Sequence, residues 1–331
     1  MKKYIIVLLI SLLFGFKANS KIIKVEANPQ KGFYFPYFLK IPKNTNANYI
    51  IVESNNTKKS KSLPSRLTRE SIGEYGYSLG LMIANKLKYP LLMPIFPYAS
   101  KEMTNTLTEK VADKYYIKQL DSDTLKITNE KYKRVDLQLI AMVDDAREKL
   151  SKEYNLKLKE KFIITGYSSA SLFAARFTFL NPARVKLAVG GGIGGLLPIP
   201  SNKINGIDAT YPIGTHDFQK ITGNVFDLES YKNTPQFYYQ GTKDKSNPFR
   251  KGAEDLTDEE FEIVKETFTD GLPFGDKWVS LELNTTMWKN SQKYIKALVD
   301  NIEFESPKNE RHTISDKMIN RSVEFIKRNL Q

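Results

Sequence analysis

The chain contains 331 residues, 41% of them hydrophobic and 26% charged, and its formal net charge is +13. This is the composition of a globular protein, because disordered chains carry fewer apolar residues and collagen requires a glycine period. With no cysteine and only two histidines, His216 and His312, the sequence excludes disulfides, zinc-thiolate sites, iron–sulfur clusters and a cysteine nucleophile.

The first twenty residues have the three-part layout of a secretory signal. Lys2 and Lys3 make the N-terminus positive, and an apolar run of 13 residues covers 4–16. The small residues Ala18 and Ser20 occupy the −3 and −1 positions of a cleavage site after Ser20. We therefore predict a signal peptide at 1–20, cleaved after Ser20, and export to the periplasm, cell envelope or medium. A membrane anchor is the alternative, but the run is shorter than the about 20 residues that span a bilayer. We expect no integral membrane segment after cleavage.

The rest of the chain, 21–331, alternates strand-like and helix-like segments and is predicted to form one α/β domain. Such alternation indicates a mainly parallel central sheet flanked by helices. Strands are predicted at 35–42, 47–54, 90–97 (ending near Phe96), 161–166, 185–192, 236–241 and 302–306, and helices at 68–87, 130–154, 169–180, 285–299 and from Ser315 onward. Residues 98–130 look loop-rich. Segment 193–232 lacks a clean period, and segment 247–283 looks like an acidic, partly helical insertion; both are candidate lids.

The most informative motif is Gly166-Tyr167-Ser168-Ser169-Ala170, which lies between an apolar strand and a helix. A serine at such a junction occupies a sharp turn that projects its hydroxyl beyond the sheet edge, and the tight turn requires small neighbours. Gly166 and Ala170 meet that requirement. Ser168 is therefore a candidate nucleophile; the alternative is a serine that caps an ordinary helix, with Ser169 close by.

Two later positions have the residue types that activate such a serine. Asp244 follows the predicted strand 236–241, and His312 lies between the last strand and the terminal helix. A histidine acts as the base, and an aspartate holds its tautomer and orientation. Taken singly, Asp244 also suits a turn and His312 a polar surface, but the order Ser168, Asp244, His312 is that of one known fold.

On these motifs the chain resembles the α/β-hydrolase superfamily, and within it the secreted esterase and depolymerase-like group. The resemblance extends from about residue 49 to 325 and includes GTKD at 241–244, RHTIS at 311–315 and FLNPARVKLAVGGG at 179–192. It implies an α/β-hydrolase fold and a serine hydrolase that forms an acyl-enzyme without cofactor or metal. Ala170 replaces the usual glycine of the motif, and alanine is small enough for the turn.

The resemblance also implies an oxyanion hole built from two backbone N–H groups. One belongs to the residue after the nucleophile, Ser169. The other comes from the loop that follows strand 47–54, where we expect Asn55 or Asn56 to supply it. This loop lacks the His-Gly-Gly sequence of many lipases, and the alternative is that both asparagines are plain turn residues.

Other features favour simpler interpretations. The glycine-rich 190–195 lacks the Lys-Ser/Thr of a phosphate-binding loop, so we interpret it as a crowded strand end. His216-Asp217 resembles a dyad, but no strand delivers it to the sheet edge. Four aromatic residues suit either a pocket or the core: Tyr211, Phe218, Tyr231 and Trp278.

The charge pattern does not indicate a nucleic-acid partner. After the predicted cleavage, 47 basic and 37 acidic residues leave a net charge of +10. The lysines are scattered and not interleaved with aromatic residues, so we expect a solvated basic surface; adhesion to anionic cell surfaces is the alternative. The expected partner is a small-molecule or polymeric ester. A peptidase or amidase on the same fold and a non-catalytic binding protein of the envelope are the alternatives.

Overall fold

A computed structural model describes residues 20–55, 78–97, 120–246, 258–273 and 280–331. Its centre is an eight-stranded sheet in the order β1-β2-β4-β3-β5-β6-β9-β10, accompanied by a two-stranded hairpin, β7-β8. The strands are β1 (Ser20–Val25), β2 (Tyr37–Pro42), β3 (Ile51–Glu53), β4 (Leu91–Pro94), β5 (Phe162–Tyr167), β6 (Val185–Gly191), β7 (Lys203–Ile204), β8 (Ile207–Asp208), β9 (Gln236–Tyr239) and β10 (Ile302–Glu305).

Strand direction brings the ends of the central strands to one edge. β2 is antiparallel to β1 and β4, and the remaining neighbours pair in parallel. In a parallel sheet the loops that follow the strands meet at the carboxyl edge, where such folds bind their ligands. The candidate residues that follow β3, β5, β9 and β10 therefore share one side of the sheet.

Helices cover both faces of this sheet. They are α1 (Leu79–Leu87), α2 (Ser122–Leu125), α3 (Val135–Tyr154), α4 (Ser169–Leu180), α5 (Phe218–Thr222), α6 (Leu228–Asn233), α7 (Asp258–Phe268), α8 (Leu281–Lys296) and α9 (Asp316–Leu330). The apolar side chains of α3, α4 and α8 belong to one buried cluster, and those of α1 and α9 belong to a second one. Because both faces are covered, β3, β5 and β9 are buried along their whole length.

Several predicted boundaries are confirmed. Helix 169–180 has the predicted bounds, and Ser315 caps α9 by accepting a hydrogen bond from the N–H of Met318. The strand predicted at 90–97 ends at Pro94 and not near Phe96. The strand ends there because the partner strand β2 begins opposite Pro94. Beyond it, the N–H and the carbonyl of Phe96 form hydrogen bonds with the side chain of Asn55.

Other boundaries differ or lie outside the described residues. The helix predicted at 130–154 begins at Val135, after Arg134 with a left-handed φ of 43°. The helix predicted at 285–299 begins four residues earlier, because Ser280 caps it. Strand β1 was not predicted. Residues 68–77 of the predicted first helix and the signal sequence at 1–19 are outside the described residues, as are 98–119.

The candidate lid 193–232 contains β7, β8, α5 and most of α6. Many of its apolar side chains belong to the same buried cluster as those of α3, α4 and α8. In the candidate lid 247–283, the described part contains α7 and the start of α8, while 247–257 and 274–279 are not described. Their role as lids stays a prediction. Among the described residues, no helix has both the length and the apolar character needed to cross a membrane.

Candidate active site

Ser168 occupies a sharp turn between β5 and α4. Its φ of 59° and ψ of −127° are unfavourable for a residue with a side chain and cost of order 1–3 kcal/mol. The turn is held on both sides: the N–H of Ser168 donates to the carbonyl of Gly191 at 2.8 Å, and its own carbonyl accepts from the N–H groups of Ser171 and Leu172. The surrounding structure therefore enforces the conformation, as the motif predicted.

The small residues around this turn are required by close packing. A Cβ atom on Gly166 would collide with the backbone carbonyl of Ala170. One strand further along, a Cβ atom on Gly190 would collide with Ser171 Oγ and lie 2.7 Å from the ring of Tyr238. The glycine-rich segment thus includes a crowded strand end beside the turn, in agreement with the interpretation drawn from the sequence.

Asp244 and His312 form a hydrogen-bonded pair. Nδ1 of His312 lies 2.8 Å from Oδ2 of Asp244. The Asp244 side chain is fully buried, whereas the imidazole is 29% exposed. The second carboxylate oxygen, Oδ1, accepts the N–H of Ser246 at 2.8 Å, so both oxygens of the buried carboxylate have partners.

This pair forms because backbone hydrogen bonds connect the loop after β9 to the loop after β10. Lys243 N–H donates to the carbonyl of Glu310 at 2.8 Å, and Thr242 N–H donates to that of Pro307 at 3.1 Å. The loops approach so closely that a Cβ atom on Gly241 would lie 2.5 Å from the carbonyl oxygen of Glu310. Glycine at 241 is therefore a condition for bringing aspartate and histidine together.

The imidazole of His312 lies beside the Ser168 turn. Its ring packs on Tyr167, the residue before Ser168, with centroids 4.9 Å apart. A Cβ atom on Gly192, next to the Gly191 carbonyl that holds Ser168, would lie 2.9 Å from His312 Cε1. The three residues predicted from the sequence therefore converge at the carboxyl edge of the sheet. Their catalytic roles stay predictions.

The candidate oxyanion residues fall partly within the described structure. Ser169 is the first residue of α4, so its backbone N–H lies at the N-terminus of that helix, directly after the Ser168 turn. The Asn55 side chain clamps the backbone of Phe96: Nδ2 donates to its carbonyl and Oδ1 accepts its N–H, both at 3.2 Å. The side chain of Asn55 is thus engaged with Phe96, and the donor role of its backbone N–H stays a prediction. Asn56 lies outside the described residues.

Glu53 is a buried acidic residue that the sequence analysis missed. Only 1% exposed, it ends β3 and accepts hydrogen bonds from Ser78 Oγ at 2.6 Å and from the N–H of Gly80 at 2.7 Å. A carboxylate at a helix N-terminus is stabilised by the helix dipole, and it ties α1 to the strand that leads into Asn55. The available signal was an acidic residue ending an otherwise apolar strand.

Tyr239 lies beneath the turn, against Tyr167, with its ring centroid 6.2 Å away. Burial raises the pKa of its hydroxyl well above the ordinary value, and the nearby Tyr167, Glu310 and Glu53 raise it further. The phenol is therefore neutral at physiological pH. It contributes packing under the site and no charge.

The second histidine lies in a different setting. The His216 side chain is 45% exposed, and its Nδ1 lies 3.4 Å from Asp208, a residue of the β7–β8 hairpin. Asp217 instead accepts the N–H of Tyr211. The aromatic residues Tyr211, Phe218 and Tyr231 are buried around Phe179, which makes them core residues. Trp278 is outside the described residues.

Within the described ranges, no group of three or more His, Asp or Glu residues is arranged to hold a metal ion. The polar groups at the carboxyl edge are a strained serine turn at a helix N-terminus and a buried aspartate bonded to a histidine.

No protein-family model matches the sequence, and no curated protein matches it either. Solved structures do match. The fold, with its mostly parallel sheet and its Ser168 turn, is the α/β-hydrolase fold. One similar structure is poly(aspartic acid) hydrolase-1 from Sphingomonas sp. KT-1, at a TM-score of 0.54 and 16% identity over 92% of this chain and 97% of that one. Another is LpqC, a poly(3-hydroxybutyrate) depolymerase from Bordetella parapertussis. Its TM-score is 0.53 and its sequence identity 11%, over 93% of this chain and 88% of that one.

Proposed function

We propose that the protein is a serine hydrolase that cleaves carboxylic esters through an acyl-enzyme on Ser168. The observation that carries this proposal is the buried Asp244 carboxylate, 2.8 Å from His312 Nδ1, with the imidazole packed beside the strained turn of Ser168. An aspartate bonded to Nδ1 leaves Nε2 as the nitrogen that exchanges a proton with the nucleophile.

The proposed reaction runs in two acyl-transfer steps. His312 removes the proton of Ser168 as the hydroxyl attacks the ester carbonyl, and then gives that proton to the departing alcohol. Water attacks the acyl-enzyme in the same way, releasing the acid and restoring the serine. Asp244 stabilises the imidazolium formed in each step. The backbone N–H groups of Ser169 and Asn55 donate to the oxyanion, and one such donor is typically worth about 3 kcal/mol.

A peptidase or amidase is the second candidate, because the same three side chains also cleave amides. The two similar structures favour neither linkage: one is named for a polyester, the other for a poly(amino acid). Parallel assays of the purified protein with p-nitrophenyl esters, a polyester and peptide substrates separate the two. Turnover of amides alone would replace esters as the proposed substrate class.

The nucleophile is tested by Ser168→Ala with a p-nitrophenyl ester and a fluorophosphonate label. We expect the wild type to be labelled at Ser168, and the variant to fold but lose both labelling and turnover. A wild-type protein that is neither labelled nor active would favour the non-catalytic binding protein, whereas an active Ser168→Ala would remove the nucleophile assignment.

The base is tested by comparing the two histidines. We expect His312→Ala to lose several orders of magnitude in rate, because removing one member of such a triad costs about 10⁴-fold or more. His216→Ala is the control, since its partly exposed side chain faces Asp208, and it should retain the wild-type rate. The reverse result would mean that His216 is the base.

We also propose that the enzyme acts outside the cytoplasm on a small-molecule or polymeric ester. This rests on the signal-like sequence of residues 1–20. N-terminal sequencing of the exported protein should begin at Lys21, and a protein that stays uncleaved in the membrane would instead indicate an anchor.

A further inference from the structure

Asn284 connects helix α8 to the loop that carries Asp244. Its side chain is 1% exposed, and its Nδ2 donates to the backbone carbonyl of Asp244 at 2.9 Å. The same nitrogen lies 3.4 Å from the carbonyl of Ser246. A residue forty positions later in the chain therefore holds the backbone of the proposed catalytic acid.

These contacts also connect two segments that are far apart in the chain, the acid loop and the first turn of α8. The chain leaves the acid loop at Ser246 and returns at Ser280, the N-cap of α8, and α7 lies in between. Asn284, in the first turn of α8, bonds the departing end. It thus joins the start of α8 to the loop that carries Asp244.

The amide oxygen of Asn284 is arranged differently. Oδ1 is buried and has no hydrogen-bond partner among the described residues. It faces Gly195, whose φ is +95°, and a Cβ atom there would lie 3.1 Å from it. A buried acceptor without a partner costs stability. The contribution of this side chain therefore lies in the donor that it gives to the Asp244 loop.

We propose that Asn284 is a positioning residue for the Asp244–His312 pair. This inference rests on the proposed function, because it assigns Asn284 a role in that same reaction. Ser246 N–H fixes Oδ1 of Asp244, and Asn284 fixes the Asp244 carbonyl, so the two bonds set the direction in which Oδ2 reaches His312. Without Nδ2 the acid loop has one restraint fewer, and the imidazole loses its alignment toward Ser168.

The test compares Asn284→Ala with Asn290→Ala. Asn290 is a matched control on the same helix: its Nδ2 also donates to a backbone carbonyl, that of Phe268, and to Asp270, away from the acid loop. We expect Asn284→Ala to lower kcat for a p-nitrophenyl ester by at least about tenfold with KM within twofold, since small misplacements of a catalytic group cost up to about 10²-fold. Asn290→Ala should stay within twofold of the wild type.

A double-mutant cycle with Asp244→Asn separates positioning from general stability. If Asn284 acts through Asp244, its substitution should change the rate by less than threefold once the carboxylate is gone. Asn284→Asp, which keeps the volume but replaces the donor by an acceptor, should impair fluorophosphonate labelling at least as much as Asn284→Ala. Urea unfolding of each variant confirms that folded protein is compared.

Failure of the Asn284 inference and failure of the proposed function give different results. If Asn284→Ala behaves like Asn290→Ala, or if its tenfold loss persists in the Asp244→Asn background, Asn284 is not a positioning residue although the proposed function stands. If the wild-type protein is not labelled at Ser168, the proposed function fails and this inference fails with it.

Discussion

The imidazole of His312 lies against the phenol ring of Tyr167, with ring centroids 4.9 Å apart and an angle of 46° between the planes. Tyr167 is the last residue of β5 and is buried, so the imidazole rests on the sheet itself. The next residue is Ser168. One strand end therefore provides both the strained serine turn and a contact surface for the histidine.

Gly192 is a residue at which a side chain would disturb this arrangement. Its φ is +60°, and a Cβ atom would lie 2.9 Å from both His312 Cε1 and Tyr167 Cζ. We expect Gly192→Ala to reduce kcat/KM for an ester at least about tenfold by displacing the imidazole. Gly206→Ala is the matched control, because its φ is +83° but no atom lies within 4 Å. Equal activity of the two variants would contradict the contact between Gly192 and His312.

Ser168→Gly should stabilise the protein while abolishing turnover. Glycine adopts the φ of 59° without the strain that a side chain imposes, and we expect a gain of about 1 kcal/mol in the free energy of unfolding. Ser168→Ala is the control, since it removes the hydroxyl but keeps the strain. Urea unfolding of both variants measures the difference, and a glycine variant no more stable than the alanine variant would argue against a strained turn.

The Asn55 clamp should affect the rate more than substrate binding. Asn55→Ala keeps the backbone N–H but releases the loop from Phe96, and we expect kcat to fall at least about tenfold with little change in KM. Asn301→Ala serves as the control, because Asn301 also donates to a backbone carbonyl but lies at the amino end of β10. If steady-state kinetics show no difference between the two variants, the Asn55 clamp has no role in the oxyanion hole.

Glu305 should stabilise the protein at neutral pH and not at acidic pH. Burial alone raises the pKa of its carboxyl, but hydrogen bonds from Arg321 and Lys317 of α9 outweigh burial and lower it below the ordinary 4.5. Because the pKa is lower in the folded state, this stabilisation is present above the unfolded-state value and is lost as the pH falls through the folded one. Glu305→Gln should cost up to about 1 kcal/mol at pH 7.

Urea midpoints of the wild type and Glu305→Gln at pH 7, 5, 4 and 3 test this expectation. The difference between the two proteins should shrink from pH 5 downward. A difference that stays constant across the series would mean that Glu305 acts through packing and not through its charge.

Local patterns in the sequence predicted much of the fold. The helix at 169–180 and the strand before it were predictable because an apolar strand, a glycine and an N-P stop are all near neighbours in the chain. The candidate Ser168, Asp244 and His312 followed from residue types at strand ends, where the topology of a parallel sheet brings distant segments together. The start of α8 was misplaced because a capping serine, Ser280, added a turn without an apolar period.

The sequence by itself determined the alternation of elements, the serine turn and the chain order of its two partners, since each depends on residues close in the chain or on strand order. Only the tertiary structure decided that Asn55 clamps Phe96, that Glu53 binds the first turn of α1 and that Asn284 holds Asp244. These contacts join segments dozens of residues apart, and a polar side chain reaches its partner only once the packed core has positioned both segments.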